Sequence, residues 1–299
     1  MMTQPYDDRD GVIWFNGDLV PWREAKLHVL THALHYASAV FEGERSYNGA
    51  IFKLTEHSQR LVASAEMLGF QIPMTVDDID KACDSVCRAN NISDGYVRPI
   101  AWRGSEMMGV SAQQSRINVA IAAWSWGKYF KEEALRKGIR MVTSSWRRPA
   151  PETAPVHAKA AGLYMICTLS KHAAEARGCD DALLLDWRGQ VAEATGANIF
   201  LVMGDGRLHT PTPDCFLNGI TRRTVIDLAR ARGMEVIERT IWPDELAEAT
   251  EVFLTGSAAE VTPVGQIDER QYTPGEITLT LMQDYKQVTG QTPPAASAA

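Results

Sequence analysis

Ala158-Lys159-Ala160-Ala161-Gly162 sets one lysine among methyl-sized side chains. A strand pattern containing Trp and Arg precedes it at residues 144–148, and an apolar helix pattern begins at Leu163. A lysine between two such elements is expected inside the protein. Desolvation lowers the pKa of a buried amine and makes it a nucleophile for a carbonyl carbon, the basis of Schiff-base chemistry. Small neighbours leave room for a flat aromatic group to approach the backbone. Read alone, the segment fits a solvated lysine as well, because most lysines lie at the surface. The rest of the chain decides between the two, and with them the fold.

The chain has 299 residues, enough for two domains of roughly 100–200 residues each. Its 45% hydrophobic and 22% charged residues match an ordinary globular protein with a sizeable core. A net charge of −7 argues against a nucleic-acid partner, because no basic excess is present to neutralise phosphates. Arg147-Arg148 and Arg222-Arg223 read as local sites or surface charge. The N-terminus is polar and acidic and shows no leader pattern, and no run of 18 apolar residues predicts a membrane span. Five scattered cysteines fit reduced thiols in a cytoplasm. Cys83 and Cys87 stand one helical turn apart with no second pair at metal spacing, and read as small residues on a helix face. His28, His32 and His35 repeat at helical spacing with no carboxylate among them, so they read as core or supporting histidines and no metal is expected.

Two Asn-Gly turns, at Asn16-Gly17 and Asn48-Gly49, lie between apolar runs and predict hairpins. Helices are predicted at 55–68 and 76–90, and strands at 96–102 and 117–124. Further strands are predicted at 140–146, 181–186, 198–202, 208–210, 235–239 and 251–255, with helices at 163–176, 220–232 and 244–248. The pattern predicts an α+β protein of two mixed domains: a small one at 1–126, a linker at 127–138, a larger one at 139–291 and a low-complexity tail at 292–299.

Several further segments carry candidate chemistry. Glu193 stands among small residues in Val191-Ala192-Glu193-Ala194-Thr195-Gly196-Ala197-Asn198, where a carboxylate paired with a ring nitrogen would sit, although a loop glutamate is the ordinary alternative. Leu217-Asn218-Gly219-Ile220-Thr221-Arg222 leads into a helix, whose first N–H groups with a Thr hydroxyl make an anion site. Leu254-Thr255-Gly256-Ser257-Ala258-Ala259 forms a second such turn. Two turns of this kind suit two anions, a phosphate and a carboxylate. Neither a Walker motif nor G-x-G-x-x-G occurs. Tyr96 and Arg98 alternate on a strand and share a face, where an Arg can grip a carboxylate with two parallel hydrogen bonds.

Taken in order, these segments resemble the branched-chain amino-acid aminotransferases, class IV aminotransferases that bind pyridoxal 5′-phosphate in fold type IV. The resemblance runs from about residue 12 to 290 and is carried by His32-Ala33-Leu34-His35-Tyr36, Phe41-Glu42-Gly43, Arg60-Leu61, Tyr96-Val97-Arg98-Pro99, the Lys159 segment with Tyr164, Glu193 to Phe200, Gly219-Ile220-Thr221-Arg222 and Thr255 to Val264. It implies that Lys159 carries the cofactor and moves the proton, that Glu193 pairs with the pyridine nitrogen and that Tyr164 bonds the phenolic oxygen. It implies phosphate contacts from Arg60, Ile220, Thr221 and Ser257, with Leu217 under the ring. The substrate α-carboxylate falls to Ser257, Ala258 and Ala259 with Tyr96. The side-chain pocket falls to Tyr36, Tyr129 and Arg98.

The activity so implied is ping-pong transfer of an amino group between L-leucine, L-isoleucine or L-valine and 2-oxoglutarate. Substrates are small amino and 2-oxo acids, and the assembly is a homodimer or is built from dimers, with the loop 103–110 as the crossing segment. D-amino-acid or (R)-amine aminotransferases and aminodeoxychorismate lyase share the fold and stay open as alternatives. Four positions bear on substrate range: Met107, where the family often has glycine; Arg103 beside it; Lys128 next to Tyr129; and Glu44, where an aliphatic residue is frequent.

Overall fold

Both Asn-Gly turns form as the sequence predicts, with Asn16 and Asn48 at φ of 51° and 50°. The computed structural model describes residues 4–127, 129–130 and 132–291, so the expected tail at 292–299 and Lys128 lie outside the described residues. The chain divides into two units. One holds the chain up to Gly127 together with Ala158–Gly162, and the other holds the remainder.

In the first unit β1 (Val12–Phe15) and β2 (Asp18–Pro21) make a hairpin, followed by a short α1 (His32–Tyr36). Strands β3 (Ala39–Phe41), β4 (Glu44–Tyr47) and β5 (Ala50–Ile51) lead into α2 (Leu54–Met67) and α3 (Val76–Ala89), then β6 (Gly95–Arg103) and β7 (Ile117–Ser125). The seven strands form one antiparallel sheet, in the order β2-β1-β7-β6-β4-β5 with β3 also on β6. Helix α3 starts with a capping box between Thr75 and Asp78, and it turns Ile79, Cys83 and Val86 inward at helical spacing. These residues and Leu61 and Ala65 of α2 pack on Val97, Ala101, Val119 and Ile121 of the sheet. Each fully buried Leu, Ile or Val among them contributes about 1.5–3 kcal/mol. Strands β3 and β4 pair with successive stretches of β6 and are separated by Glu42-Gly43.

The second unit begins with α4 (Glu132–Lys137) inside the stretch predicted as linker, where Phe130 and Ala134 pack against this unit's own core. There follow β8 (Ile139–Arg148), α5 (Met165–Ala176), β9 (Asp181–Asp186), β10 (Val191–Ala194), β11 (Asn198–Met203) and β12 (Leu208–Pro211). Then come α6 (Ile220–Ala231), β13 (Val236–Arg239), β14 (Ala249–Gly256), β15 (Glu260–Ile267), β16 (Arg270–Gln271) and α7 (Glu276–Val288). The sheet order is β10-β9-β8-β15-β14-β11-β12-β13, and an additional β10–β11 pairing closes its first six strands on themselves. Alternate side chains such as Met141, Leu183, Ile199, Leu201, Leu254 and Val264 fill the core. Parallel pairs at β8–β9 and β8–β15 make the sheet mixed, in keeping with the α+β reading. Among the described residues no helix is long and apolar enough to cross a membrane.

Besides α4 and β10, the elements that escape the sequence patterns include α7 and β15. Helix α7 has no counterpart among the predicted helices, and β15 carries Pro263, which argues against a central strand. Pro263 is tolerated because β8 pairs only from Val264 onward, so no N–H is required on that side. The segment Ala158–Gly162 also sits apart from the residues that flank it in sequence. Ala160 bridges Val40, and the Lys159 carbonyl accepts the Phe41 N–H at 3.1 Å, so the lysine belongs to the first unit.

Glu44 is fully buried, and neither of its carboxylate oxygens has a hydrogen-bond partner among the described residues. Burial holds its pKa well above the carboxylate range; Glu42 and Asp80 push the same way and Arg60 opposes. From about pH 4.3 upward the unfolded chain has released this proton while the folded chain keeps it, so stability falls as pH rises through that window. Glu44→Leu removes both the buried polar group and the slope. It is expected to stabilise the first unit by about 1–3 kcal/mol near pH 8, and by less near pH 4.5. Urea denaturation at both pH values checks this, and a variant less stable near pH 8 would contradict it.

Candidate functional site

The first unit builds its site around Glu42, in the break between β3 and β4. This carboxylate is wholly buried, and it accepts Arg60 Nε on Oε1 at 2.7 Å and Arg60 Nη2 on Oε2 at 2.8 Å. His57, one turn earlier on α2, donates Nδ1–H to Oε2 at 2.7 Å. Burial alone would raise the Glu42 pKa; Arg60 and His57 outweigh it and hold it well below the carboxylate range. His57 lies below its ordinary value because burial outweighs the pull of Glu42. A carboxylate so paired fixes the guanidinium in one orientation.

Lys159 stands in the field of this group. Burial is the main cause that lowers its amine to about 8; Arg60 pushes the same way and Glu42 opposes. Its own N–H donates to Ser64 Oγ at 3.0 Å, which fixes the backbone, and its Nζ lies 5.1 Å from the Phe41 ring centroid. Arg98 lies over the same ring at 4.8 Å and donates Nη2–H to the Tyr96 hydroxyl at 3.1 Å. Tyr96 fits because position 43 is glycine, where a Cβ would come within 1.9 Å of the Tyr96 hydroxyl. Lys159, Arg60, Tyr96 and Arg98 are thus grouped within one unit, whereas the sequence pattern sets Lys159 in the larger domain at 139–291.

The second unit aligns its candidates across strand ends. Glu193 on β10 pairs with Asn198 on β11, and Asn198 pairs with Thr255 on β14. Glu193 is 9% exposed and lies in a strand, so the loop reading does not hold. Arg148 lies 3.4 Å from its Oε1 and is 3% exposed, so of the two readings of Arg148, local site or surface charge, the local site holds. Leu217 and Gly219 precede α6, whose first turn has no side-chain cap and carries the buried Ile220 and Thr221. Arg222 is fully buried but faces Thr210, Pro211, Asn218 and Glu238, so it ties α6 to the sheet rather than serving an anion. Ser257, Ala258 and Ala259 make the turn from β14 to β15, and Gly256 packs against the Gly196 turn. Tyr164 ends the 3-10 turn Ala161–Tyr164 ahead of α5.

Other predicted residues lie further out. Tyr36 is 44% exposed, stacks on His32 and donates to the Met108 carbonyl at 3.3 Å, so it belongs with the loop that carries Met107. Tyr129 lies in the second unit and lines a small cavity with Ala258 and Ala259. His28 accepts the Leu30 N–H and His35 meets the Val29 carbonyl, while His32 reaches the Ser38 hydroxyl and the Gly109 carbonyl, so the three rings do not converge. Arg103 donates to the Ala112 and Gly69 carbonyls, so its charge holds the loop. Sequence reasoning gave no role to Glu42, His57, Arg148 or Asn198. Their signal is a polar residue at a buried position, which appears only once the neighbouring strand or helix is known.

The family model for class IV amino-transferases matches residues 39–267. A branched-chain-amino-acid aminotransferase of Pseudomonas aeruginosa is 44% identical over 95% of each chain. A crystal structure of the T.th. branched-chain amino acid aminotransferase with pyridoxamine 5′-phosphate superposes with a TM-score of 0.91 at 44% identity, covering 95% of this chain and 96% of that one. The same T.th. enzyme complexed with N-(5′-phosphopyridoxyl)-L-glutamate gives a TM-score of 0.89 at 42% identity, with 95% and 96% covered. This chain belongs to the class IV aminotransferases.

Proposed function

We propose that the protein is a pyridoxal-phosphate-dependent aminotransferase. It moves amino groups between L-leucine, L-isoleucine or L-valine and 2-oxoglutarate, in two half-reactions. The observation that carries this reading is Lys159, whose amine is lowered to about 8 beside a guanidinium fixed by a buried carboxylate. Each unit's donors suit the cofactor: the first offers an amine for its carbonyl and an arginine for its phosphate, and the second offers an uncapped helix start for a phosphate and a buried carboxylate for a ring nitrogen. The ligands of the two T.th. structures support the cofactor and an acidic amino donor.

Bound pyridoxal phosphate supplies an electron sink when the substrate Cα–H bond breaks. Lys159 would take the proton from that carbon and deliver it to C4′ of the cofactor, and would run the transfer backwards in the second half-reaction. Glu193 keeps the ring nitrogen protonated, and Tyr164 bonds the phenolic oxygen. Arg60, the Ile220 N–H and the Thr221 and Ser257 hydroxyls hold the phosphate, and Leu217 packs under the ring. Tyr96 and the 257–259 turn hold the α-carboxylate. Tyr36, Tyr129 and Arg98 line the side-chain pocket. With an aliphatic substrate Arg98 stays with the Tyr96 hydroxyl and the Phe41 ring; with glutamate it meets the γ-carboxylate.

Leu27, Val29, Leu30, Leu34 and Val110 are exposed on two segments tied together by the Tyr36–Met108 and His32–Gly109 contacts, and such apolar exposure supports a homodimer. Five unbridged cysteines support a cytoplasmic location.

The reading is tested by mixing the purified yellow protein with single amino acids of either hand and following loss of its visible band. L-leucine, L-isoleucine, L-valine and L-glutamate are expected to discharge it; a preference for D-alanine or an (R)-arylamine would overturn the assignment. Borohydride is expected to fix the cofactor on Lys159, and Lys159→Ala to lower turnover by about 10²–10⁴-fold. Because only the neutral amine attacks, cofactor capture by the apoprotein is expected to speed up as pH rises and to level off above about 8, where an ordinary lysine would keep gaining to beyond pH 10. Arg98→Ala is expected to slow the glutamate half-reaction roughly 10–150-fold more than the leucine one, because a charge-assisted pair is lost. Equal loss in both would make Arg98 structural.

A further inference from the structure

Arg148 and Asn198 are buried beside Glu193 and have no role in this scheme, and Asn198 makes the more extensive contacts. Asn198 opens β11 and is 4% exposed. Its Nδ2 donates to the Leu217 carbonyl at 2.9 Å and to Glu193 Oε2 at 3.3 Å, and its Oδ1 accepts the Gly219 N–H at 3.1 Å. The amide orientation follows from these partners, because a flip would set its oxygen against a carboxylate and a carbonyl. One side chain therefore joins β10 to the turn that starts α6.

Gly219 gives a second view of the same contact. Its φ of −59° is open to any residue, so glycine is not needed for backbone freedom. A Cβ there would lie 2.3 Å from Asn198 Oδ1. The glycine makes room for the asparagine, and that oxygen cannot swing aside without giving up its partners.

We propose that Asn198 is a positioning residue. It ties the Glu193 carboxylate to the 217–221 turn and so sets the spacing between the group that meets the cofactor's ring nitrogen and the groups that meet its phosphate. This rests on the roles given above to Glu193, Ile220 and Thr221. A neutral amide suits the task because it offers a donor to the carboxylate and an acceptor to the N–H at once. An aspartate offers only acceptors and adds a like charge beside Glu193.

The test titrates apoprotein with pyridoxal 5′-phosphate and with pyridoxal, which lacks the phosphate, and compares the dissociation constants. Wild type is expected to prefer the phosphorylated form strongly. Asn198→Ala is expected to weaken pyridoxal 5′-phosphate roughly 10–100-fold and pyridoxal far less, so the ratio falls. Asn198→Asp keeps the shape and loses both donations, and is expected to behave like Asn198→Ala; wild-type behaviour would overturn the proposal. Gly219→Ala is expected to lower the ratio by itself, and to add less than about twofold on top of Asn198→Ala, because the atom it strikes is gone. A purely structural asparagine would lower the melting temperature, leave the ratio unchanged and give effects that multiply; that outcome overturns the proposal alone. If Asn198→Ala does not fold, Gly219→Ala decides by its own ratio. A wild-type apoprotein that binds both forms equally would overturn the phosphate assignment, and the proposal with it.

Discussion

The pairing of Glu42 with Arg60 is the constraint on which the first unit's site depends. A carboxylate with no exposure is stable as an anion only if its oxygens are occupied, and here two guanidinium N–H groups and an imidazole occupy them. That need fixes where α2 lies against the break between β3 and β4. It also brings a permanent positive charge close enough to Lys159 to help lower its amine. Removing one partner of such a pair typically costs about 3–5 kcal/mol, because the other is left buried and unmatched. Two residues along, Glu44 shows the opposite case. It is equally buried, finds no partner among the described residues and is driven toward its neutral form. The same residue type on the same short stretch is an anion or an acid according to its neighbours alone.

The second unit meets its constraint through sheet closure. The β10–β11 pairing brings Glu193 beside Asn198, and the β11–β14 ladder brings Asn198 beside Thr255, so one row of the sheet gathers residues from three strands. The turns that follow these strands then lie together, with Gly256 against Gly196. Backbone N–H groups in such turns are preorganised donors, which is what an anionic ligand requires. Arg222 serves the same architecture from behind, where four hydrogen-bond partners hold α6 so that its first turn keeps a fixed aim.

Much of this was legible in the chain. The Asn-Gly hairpins, the amphipathic face of α3 and the alternating strands follow from local periodicity, and all formed. Lys159 and Glu193 stood out because their neighbours are small, and the Gly219 and Gly256 turns because a glycine beside Ser or Thr marks a possible anion site. Helix α7 and the Pro263 strand were not legible in the same way. The first lacks a decisive local pattern, and the second breaks a local rule that only its place beyond the β8 ladder excuses.

The sequence by itself determined most of the regular elements, the types of the candidate residues and the family, because each is written in local spacing or in short ordered motifs. Only the tertiary structure decided which unit holds Lys159, which glutamate is paired and which is not, and that Arg148 and Asn198 attend Glu193. The physical reason is one of range. Glu42 and Arg60 are 18 residues apart and Asn198 and Gly219 are 21 apart, so their contacts depend on strand order and helix docking. A hydrogen-bond partner for a buried polar group is chosen by that packing, and no periodicity in the chain encodes it.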